Sequence, residues 1–216
     1  MIITFSGTDG AGKSTQISYL EKYLSKEKKK YITLWARGGY TPIFSFIKKI
    51  IRLISVNKLP EPGPNKSRGK LLNNKFVAKL WLSLATIDLI IFYGIYARTL
   101  SILRVTVICD RYIEDTELDF KNNFQDFFTT KSFLWRAVNF IAPKPDSSFL
   151  LIVPVEISIE RSIEKNEPFP NSNETLYFRY NSYMDKKIFP DDKYFRINCS
   201  QSLLDIHSEI INKAGL

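Results

Sequence analysis

The residues best suited to do chemistry lie near the N-terminus, in a glycine-rich stretch from residue 7 to residue 14. The stretch has the order Gly, four other residues, Gly, Lys and Ser; an apolar segment precedes it and a segment with helical periodicity follows it. Glycines at this spacing let successive backbone N–H groups point at phosphate oxygens, and the beginning of a helix adds the positive end of its dipole. The stretch therefore predicts a loop that binds the phosphates of a nucleotide.

Two side chains of this loop are predicted to act on the bound phosphates. Lys13 is expected to reach the β- and γ-phosphates of ATP, and the Ser14 hydroxyl is expected to bind Mg²⁺, which together offset the charge on a phosphoryl group in transfer. A kinase, a GTPase, a motor and an ATP-dependent switch all use such a loop, so the loop alone does not choose between them. The residues predicted to bind ATP are Gly7, Gly10, Ala11, Gly12, Lys13, Ser14 and Thr15.

Two arginines follow predicted strands, at the edge where ligands bind in open α/β sheets. Arg37 comes after the second strand, and Arg111 comes after the third strand, next to Asp110. A kinase with a phosphorylated acceptor must bring two anions together, so it needs fixed cations on the acceptor side. We expect both arginines to bind the acceptor phosphate and Asp110 to lie in the Mg²⁺ shell, with a strand-end turn residue as the alternative for Asp110.

The elements that would hold these residues in place alternate along the chain. Short runs of β-branched and aromatic residues indicate strands, and longer segments with apolar residues three and four apart indicate helices. This alternation predicts an α/β fold of three layers, in which helices flank a five-stranded parallel sheet, within one domain over residues 1–216. The predicted strands are 2–5, 31–35, 105–109, 149–153 and 194–198, and the predicted helices are 13–26, 43–56, 73–103, 131–141, 155–165, 174–188 and 203–213.

Four segments occur in an order that matches a known family. Residues 5–16 contain the phosphate loop with an Asp inside it, residues 37–42 read Arg-Gly-Gly-Tyr-Thr-Pro, residues 110–112 read Asp-Arg-Tyr, and residues 195–200 form a strand-like run. Together they resemble the thymidylate kinases, which are P-loop nucleoside monophosphate kinases. The resemblance implies the P-loop NTPase fold, ATP and Mg²⁺ as cofactors, and transfer of the γ-phosphate of ATP to a nucleoside monophosphate, with dTMP as the first candidate and dTDP as its product.

The same resemblance implies the residues of the acceptor site. Arg37 and Arg111 would hold the acceptor phosphate, Asp9 would accept a hydrogen bond from a sugar hydroxyl, and Tyr112 would lie in the same site. A side chain that only stabilises its own loop is the alternative for Asp9.

A lid over the phosphates is expected at residues 161–173. Members of the family that have Gly at the position of Gly10 rely on cations from the lid. Arg161, with a catalytic role, and Lys165 are the candidates. The alternative is that both are basic residues on a solvated helix face.

Several departures from the family concern the acceptor. Leu89 follows Asp88 where the family has an Asp-Arg pair, the acceptor loop lacks a Glu-Pro after its Arg, and residues 166–170 read Asn-Glu-Pro-Phe-Pro. The alternative function is therefore a divergent kinase of the same fold that acts on a sugar, glycan or lipid-linked phosphate. The basic apolar segment 42–54 fits a helix on a membrane surface or one packed on the core.

Composition limits the classes of binding partner and the cellular location that we expect. The net charge of +9 favours polyanionic partners, but the basic residues are spread along the chain, so nucleic acid is not expected. Residues 1–5 lack the features of a signal peptide, and Asp88 interrupts the apolar stretch 80–97, which favours a buried helix over a membrane span. We expect a cytoplasmic homodimer that binds ATP and a phosphorylated small molecule, with peripheral membrane contact as an alternative.

The remaining reactive side chains exclude other kinds of site. Cys109 and Cys199 both follow strand-like runs, so buried free thiols are expected rather than a disulfide or a zinc site. His207 is the only histidine, which excludes a metal site with several histidine ligands, and its place on the last predicted helix predicts no catalytic role. A third hypothesis, an ATP-binding regulator with no acceptor, leaves Arg37 and Arg111 without a task.

Overall fold

The computed structural model describes residues 1–35, 41, 75–164 and 172–216. Several of the predictions lie outside these residues. They are the helix at 43–56, the membrane-surface segment at 42–54, the acceptor residue Arg37, and residues 165–171 of the lid, which include Lys165.

The chain divides into two compact units. Unit 1 comprises Met1–Trp35, Thr99–Glu114 and Lys144–Leu216, and unit 2 comprises the described residues of Ala36–Arg98 together with Asp115–Pro143. The single domain predicted from the sequence stays a prediction.

Unit 1 is built on a five-stranded sheet in which every strand pair is parallel. The strands are β1 Ile2–Gly7, β2 Tyr31–Trp35, β3 Thr106–Asp110, β4 Ser147–Ile152 and β5 Tyr194–Asn198. Their order across the sheet is β2-β3-β1-β4-β5, so β1 lies at the centre. Because parallel strands end at one edge, the residues that follow β1 and β3 lie side by side there. The predicted α/β class and its parallel sheet are confirmed.

The described residues of the two units also form α-helices. They are α1 Lys13–Lys26, α2 Lys75–Leu89, α3 Arg98–Ile102, α4 Ile113–Asn123, α5 Phe133–Ile141, α6 Val155–Glu164, α7 Asn173–Met184 and α8 Leu203–Ala214. Residues Ile90–Ala97, between α2 and α3, form a π-helix. Two serines start helices in unit 1, since Ser172 accepts a hydrogen bond from the Thr175 amide and Ser202 from the Asp205 amide.

One face of the sheet is covered by α1 and α8. Leu20 and Leu24 of α1 and Ile206 and Ile210 of α8 are buried together with Phe5 of β1 in one apolar cluster. In each helix the two residues are four apart and so project from one face. This packing fixes the beginning of α1, and therefore the loop before it, against the end of β1.

Unit 2 is held together by aromatic side chains. The Trp135 ring lies 5.7 Å from the Phe120 ring and 5.0 Å from the Phe128 ring, and the Trp81 ring lies 5.0 Å from the Phe124 ring. Phe120 and Phe124 belong to α4, a helix that the sequence analysis did not predict.

The helical stretch Lys75–Ile102 is the one in the described part of the chain that is long and apolar enough to cross a membrane. Core helices of soluble proteins also meet these criteria, and 44% of its most apolar window is buried. Leu89 and Tyr93 are fully buried, whereas Ile87 and Ile95 are exposed. The predicted buried helix is therefore buried on one face.

Candidate active site

The loop between β1 and α1 has the backbone that the glycine pattern predicts. Gly7 has φ +136°, and a Cβ at this position would lie 1.8 Å from the carbonyl oxygen of Leu151. Gly10 and Gly12 have φ of +75° and +85°, in the left-handed region that glycine adopts without strain. Thr8 joins the loop to the end of β4, since its amide donates to Leu151 O at 3.1 Å. The strand, loop and helix of a phosphate cradle are thus present.

Lys13 lies inside this loop. Its side chain is buried, and Nζ donates hydrogen bonds to Gly7 O at 2.9 Å and to Thr8 O at 2.7 Å. The ammonium is therefore held where the glycine-rich turn curves around it. The neighbouring Ser14 is exposed in the first turn of α1, where its hydroxyl is accessible to a metal ion.

Asp9 stands between two arginines. Its Oδ1 accepts from Arg111 Nη2 at 3.0 Å, and its Oδ2 accepts from Arg179 Nη1 at 2.7 Å. Side-chain exposure is 22% for Asp9, 12% for Arg111 and 8% for Arg179, so these ion pairs are only weakly screened by solvent. The structure thus brings together two predicted acceptor residues and adds Arg179, which was not predicted.

Burial and charge act in opposite directions on Asp9. Burial alone would raise the pKa of this carboxyl, but the charges of Arg179, Lys13 and Arg111 outweigh it and lower the pKa to about 2. Asp9 is consequently ionised throughout the neutral range. With Lys13 and the two arginines it forms a cluster that carries a net positive charge, which suits the binding of an anion.

Arg111 is fixed by its backbone as well as its side chain. Its φ is +77°, an uncommon conformation for a residue with a Cβ, and its amide donates to Phe5 O at 2.9 Å. Strained backbone of this kind persists where the surrounding structure enforces it. The preceding Asp110 ends β3 in register with Phe5 of β1, so it lies at the edge of the sheet near the phosphate loop. Tyr112 is 3% exposed, so it lies in the interior of unit 1.

Helix α6 is tied to the phosphate loop at two points. Ser158 Oγ donates to Asp9 O at 2.6 Å, and Arg161 Nη1 donates to Gly10 O at 2.6 Å. Arg161 therefore lies beside the phosphate loop, and its guanidinium is engaged by the backbone of that loop. Lys165, the other predicted lid cation, lies outside the described residues.

Asp88 and Leu89, which stand where the family has an Asp-Arg pair, lie in unit 2. Asp88 is 2% exposed, and both of its carboxylate oxygens accept from the Thr41 hydroxyl. Leu89 is fully buried. Asp88 thus holds a threonine of the predicted acceptor loop, and position 89 supplies no cation.

Comparison with known proteins identifies relatives over nearly the whole chain. No protein-family model matches the chain. The chain is 28% identical to the thymidylate kinase of Chlorobium luteolum over 98% of this chain and 95% of the relative. It is 27% identical to a probable thymidylate kinase of Methanocaldococcus jannaschii over 98% of this chain and 94% of the relative. The chain is a divergent relative of the thymidylate kinases. It is accordingly an enzyme, a nucleotide-binding P-loop kinase.

A solved structure confirms the fold of this kinase. A thymidylate kinase from Ehrlichia chaffeensis matches it with a TM-score of 0.57 and 18% sequence identity, over 100% of this chain and 98% of the other. The likeness extends to the whole chain, as the order of the four sequence segments predicted. The alternative of a sugar, glycan or lipid-linked acceptor has no support from these relatives.

Proposed function

We propose that this kinase transfers the γ-phosphate of ATP to a nucleoside monophosphate in the presence of Mg²⁺, and that dTMP, converted to dTDP, is the substrate to test before any other. The observation that carries the proposal is the contact between Arg111 and Asp9. It joins a guanidinium at the end of β3 to the loop that contains Lys13, at 3.0 Å. The names of the relatives support the same acceptor.

The donor side of the proposal rests on the phosphate loop. Lys13 stabilises the charge on the γ-phosphoryl group as it moves. The ATP phosphates bind in the loop at Gly7, Gly10, Ala11, Gly12, Lys13, Ser14 and Thr15. Ser14 and Asp110 provide a hydroxyl and a carboxylate, the hard oxygen ligands that suit Mg²⁺. When bound, Mg²⁺ neutralises part of the phosphate charge. Arg161 binds the Gly10 carbonyl and adds a further positive charge beside the loop.

The acceptor side uses the arginines. Arg111, and by resemblance Arg37, bind the acceptor phosphate, while Asp9 accepts a hydrogen bond from a sugar hydroxyl. Both Asp9 oxygens already accept from an arginine, but each carboxylate oxygen has two lone pairs, so a further donor can be accommodated. Tyr112 is proposed as a further residue of the acceptor site, and residues 161–173 as the lid.

An ADP-coupled assay with ATP, Mg²⁺ and a panel of nucleoside monophosphates tests this function. We expect ADP production above the acceptor-free rate, with the largest increase for dTMP. Arg111→Ala should lower kcat/KM for the acceptor by about 100-fold or more, because a charge-assisted contact to the phosphate is lost, while ATP binding is retained. Arg136→Ala, at an exposed arginine of α5, is the matched control and should leave the rate unchanged. Equal activity of both variants contradicts the proposed acceptor site.

We also propose that the kinase is a homodimer. Sedimentation velocity over a range of protein concentrations measures the mass, and a single species with the mass of one chain contradicts the homodimer.

A further inference from the structure

Helix α7 presents two side chains to the Asp9 and Arg111 pair. Arg179 Nη1 donates to Asp9 Oδ2 at 2.7 Å, and the Tyr183 hydroxyl accepts from Arg111 Nη1 at 3.2 Å. Arg179 and Tyr183 are four residues apart and so lie on one face of the helix. They are 6% and 1% exposed. One buried face of α7 therefore contacts both members of the pair.

These contacts restrict both members of the pair. The Asp9 carboxylate is bonded at one oxygen by Arg111 and at the other by Arg179, so its rotation would break a charge-assisted hydrogen bond. Arg111 uses Nη2 for Asp9 and Nη1 for Tyr183, and two separate acceptors fix the plane of its guanidinium.

The end of α7 is itself held in place by Arg196 of β5. Arg196 Nη1 donates to Tyr183 O at 3.1 Å and its Nη2 to Phe189 O at 2.8 Å, while Nε pairs with Asp191 Oδ1 at 2.7 Å. The Tyr183 ring packs against the Phe189 ring with centroids 5.1 Å apart. The Tyr183 hydroxyl therefore belongs to a supported ring and has little freedom to move away from Arg111.

We infer that the Arg179 and Tyr183 face of α7 positions the Asp9 carboxylate to accept from a sugar hydroxyl and the Arg111 guanidinium to bind the acceptor phosphate, and so sets the affinity for the acceptor and not for ATP. This inference rests on the proposed function. Arg179 and Tyr183 are positioning residues, since Arg179 acts through Asp9 and Tyr183 acts through Arg111.

Removal of one hydroxyl from α7 tests the inference without disturbing the packing. In Tyr183→Phe the ring remains and the acceptor for Arg111 is lost, so KM for dTMP should rise about fivefold to tenfold, while KM for ATP should change by less than about twofold. Tyr177→Phe is the matched control, because Tyr177 lies on the same helix and its hydroxyl donates to Glu156 at the surface. Its kinetic constants should equal those of the wild type. A KM for dTMP that is the same in both variants overturns the inference.

Substitution of Arg179 adds a test that does not depend on turnover. The Asp9 carboxyl resonance, assigned by its absence from Asp9→Asn, should move little between pH 3 and pH 6 in the wild type, because its pKa is about 2. In Arg179→Gln the loss of the guanidinium should raise this pKa, so the resonance should move clearly over the same range, and in Arg179→Lys the retained charge should reverse part of this change. An Asp9 resonance that behaves identically in the wild type and Arg179→Gln overturns the inference.

The two readouts distinguish the inference from the proposed function. If the wild type phosphorylates no nucleoside monophosphate, the proposed function fails, and the Asp9 titration still decides whether Arg179 holds Asp9. If the wild type is active and Tyr183→Phe behaves as Tyr177→Phe does, the proposed function stands and the inference fails. If KM for dTMP changes in Tyr183→Phe and Arg179→Gln while KM for ATP does not, the proposed function and the inference are both supported.

Discussion

Replacement of Asp9 by asparagine should make the free energy of unfolding less dependent on pH in the acidic range. Asparagine has nearly the shape of aspartic acid without the charge, so the change removes the negative charge that attracts Arg179, Lys13 and Arg111. Those two arginines are then left with an uncharged partner in a poorly solvated place, which is costly.

The size of the effect follows from the carboxyl pKa, which falls from its ordinary value of 3.8 to about 2 in the folded protein. At about 1.4 kcal/mol for each pH unit, this difference stabilises the fold by about 2 kcal/mol at pH 7. Because the folded pKa is the lower one, the stabilisation is complete above the unfolded pKa and is lost as the pH falls through about 2. About half of it should remain at pH 3.

Urea unfolding of the wild type and Asp9→Asn at several pH values between 3 and 7 measures this contribution. All other carboxyls are common to the two proteins, so the difference in unfolding free energy isolates Asp9. We expect a difference of about 2 kcal/mol at pH 7 that decreases to about 1 kcal/mol at pH 3. A difference below about 0.5 kcal/mol at pH 7, or one that does not vary with pH, would refute the reasoning.

Three further predictions concern the phosphate loop and the buried thiols. Lys13→Ala should lower kcat by about 100-fold or more in the ADP-coupled assay through lost charge stabilisation, and a decrease of less than tenfold speaks against this role. Gly7→Ala should destabilise the fold by on the order of 3 kcal/mol, because its φ is +136° and the new Cβ would meet Leu151 O, so an unchanged melting temperature contradicts the geometry. Burial raises the pKa of Cys109 to about 12 and that of Cys199 to about 11, so a thiol reagent at pH 8 should modify them only after unfolding; rapid labelling of the folded protein would be the contrary result.

Local patterns in the sequence predicted the parts of the structure that depend on near neighbours. The strands Tyr31–Trp35 and Tyr194–Asn198 have the predicted bounds, and α1 begins and ends where its apolar spacing indicates. The phosphate loop was predictable for the same reason, because its glycines, Lys13 and the start of α1 are consecutive in the chain. The free, buried state of both cysteines is also confirmed.

Features that depend on distant contacts were not predicted. Helix α4 was missed because Asp115, Thr116 and Asp119 are buried in it, so its inner face does not read as an apolar stripe. Arg179 was missed because it contacts Asp9 across 170 residues, and a lone arginine in a polar helix has no local signature. The spacing of Arg179 and Tyr183 by one turn was the available signal, but it acquires meaning only once α7 lies beside Asp9 and Arg111, which follow β1 and β3.

The hydrogen bonds that Lys13 makes to Gly7 O and Thr8 O affect how nucleotide affinity is divided between entropy and enthalpy. A lysine side chain that was mobile in solvent would lose rotamer freedom on binding a triphosphate, at a cost of about 0.5 to 1.5 kcal/mol. In this protein that loss occurs during folding. When the nucleotide binds, Lys13 Nζ exchanges two carbonyl acceptors for phosphate oxygens. Calorimetry should therefore record the contribution of Lys13 as binding enthalpy rather than as a change in entropy.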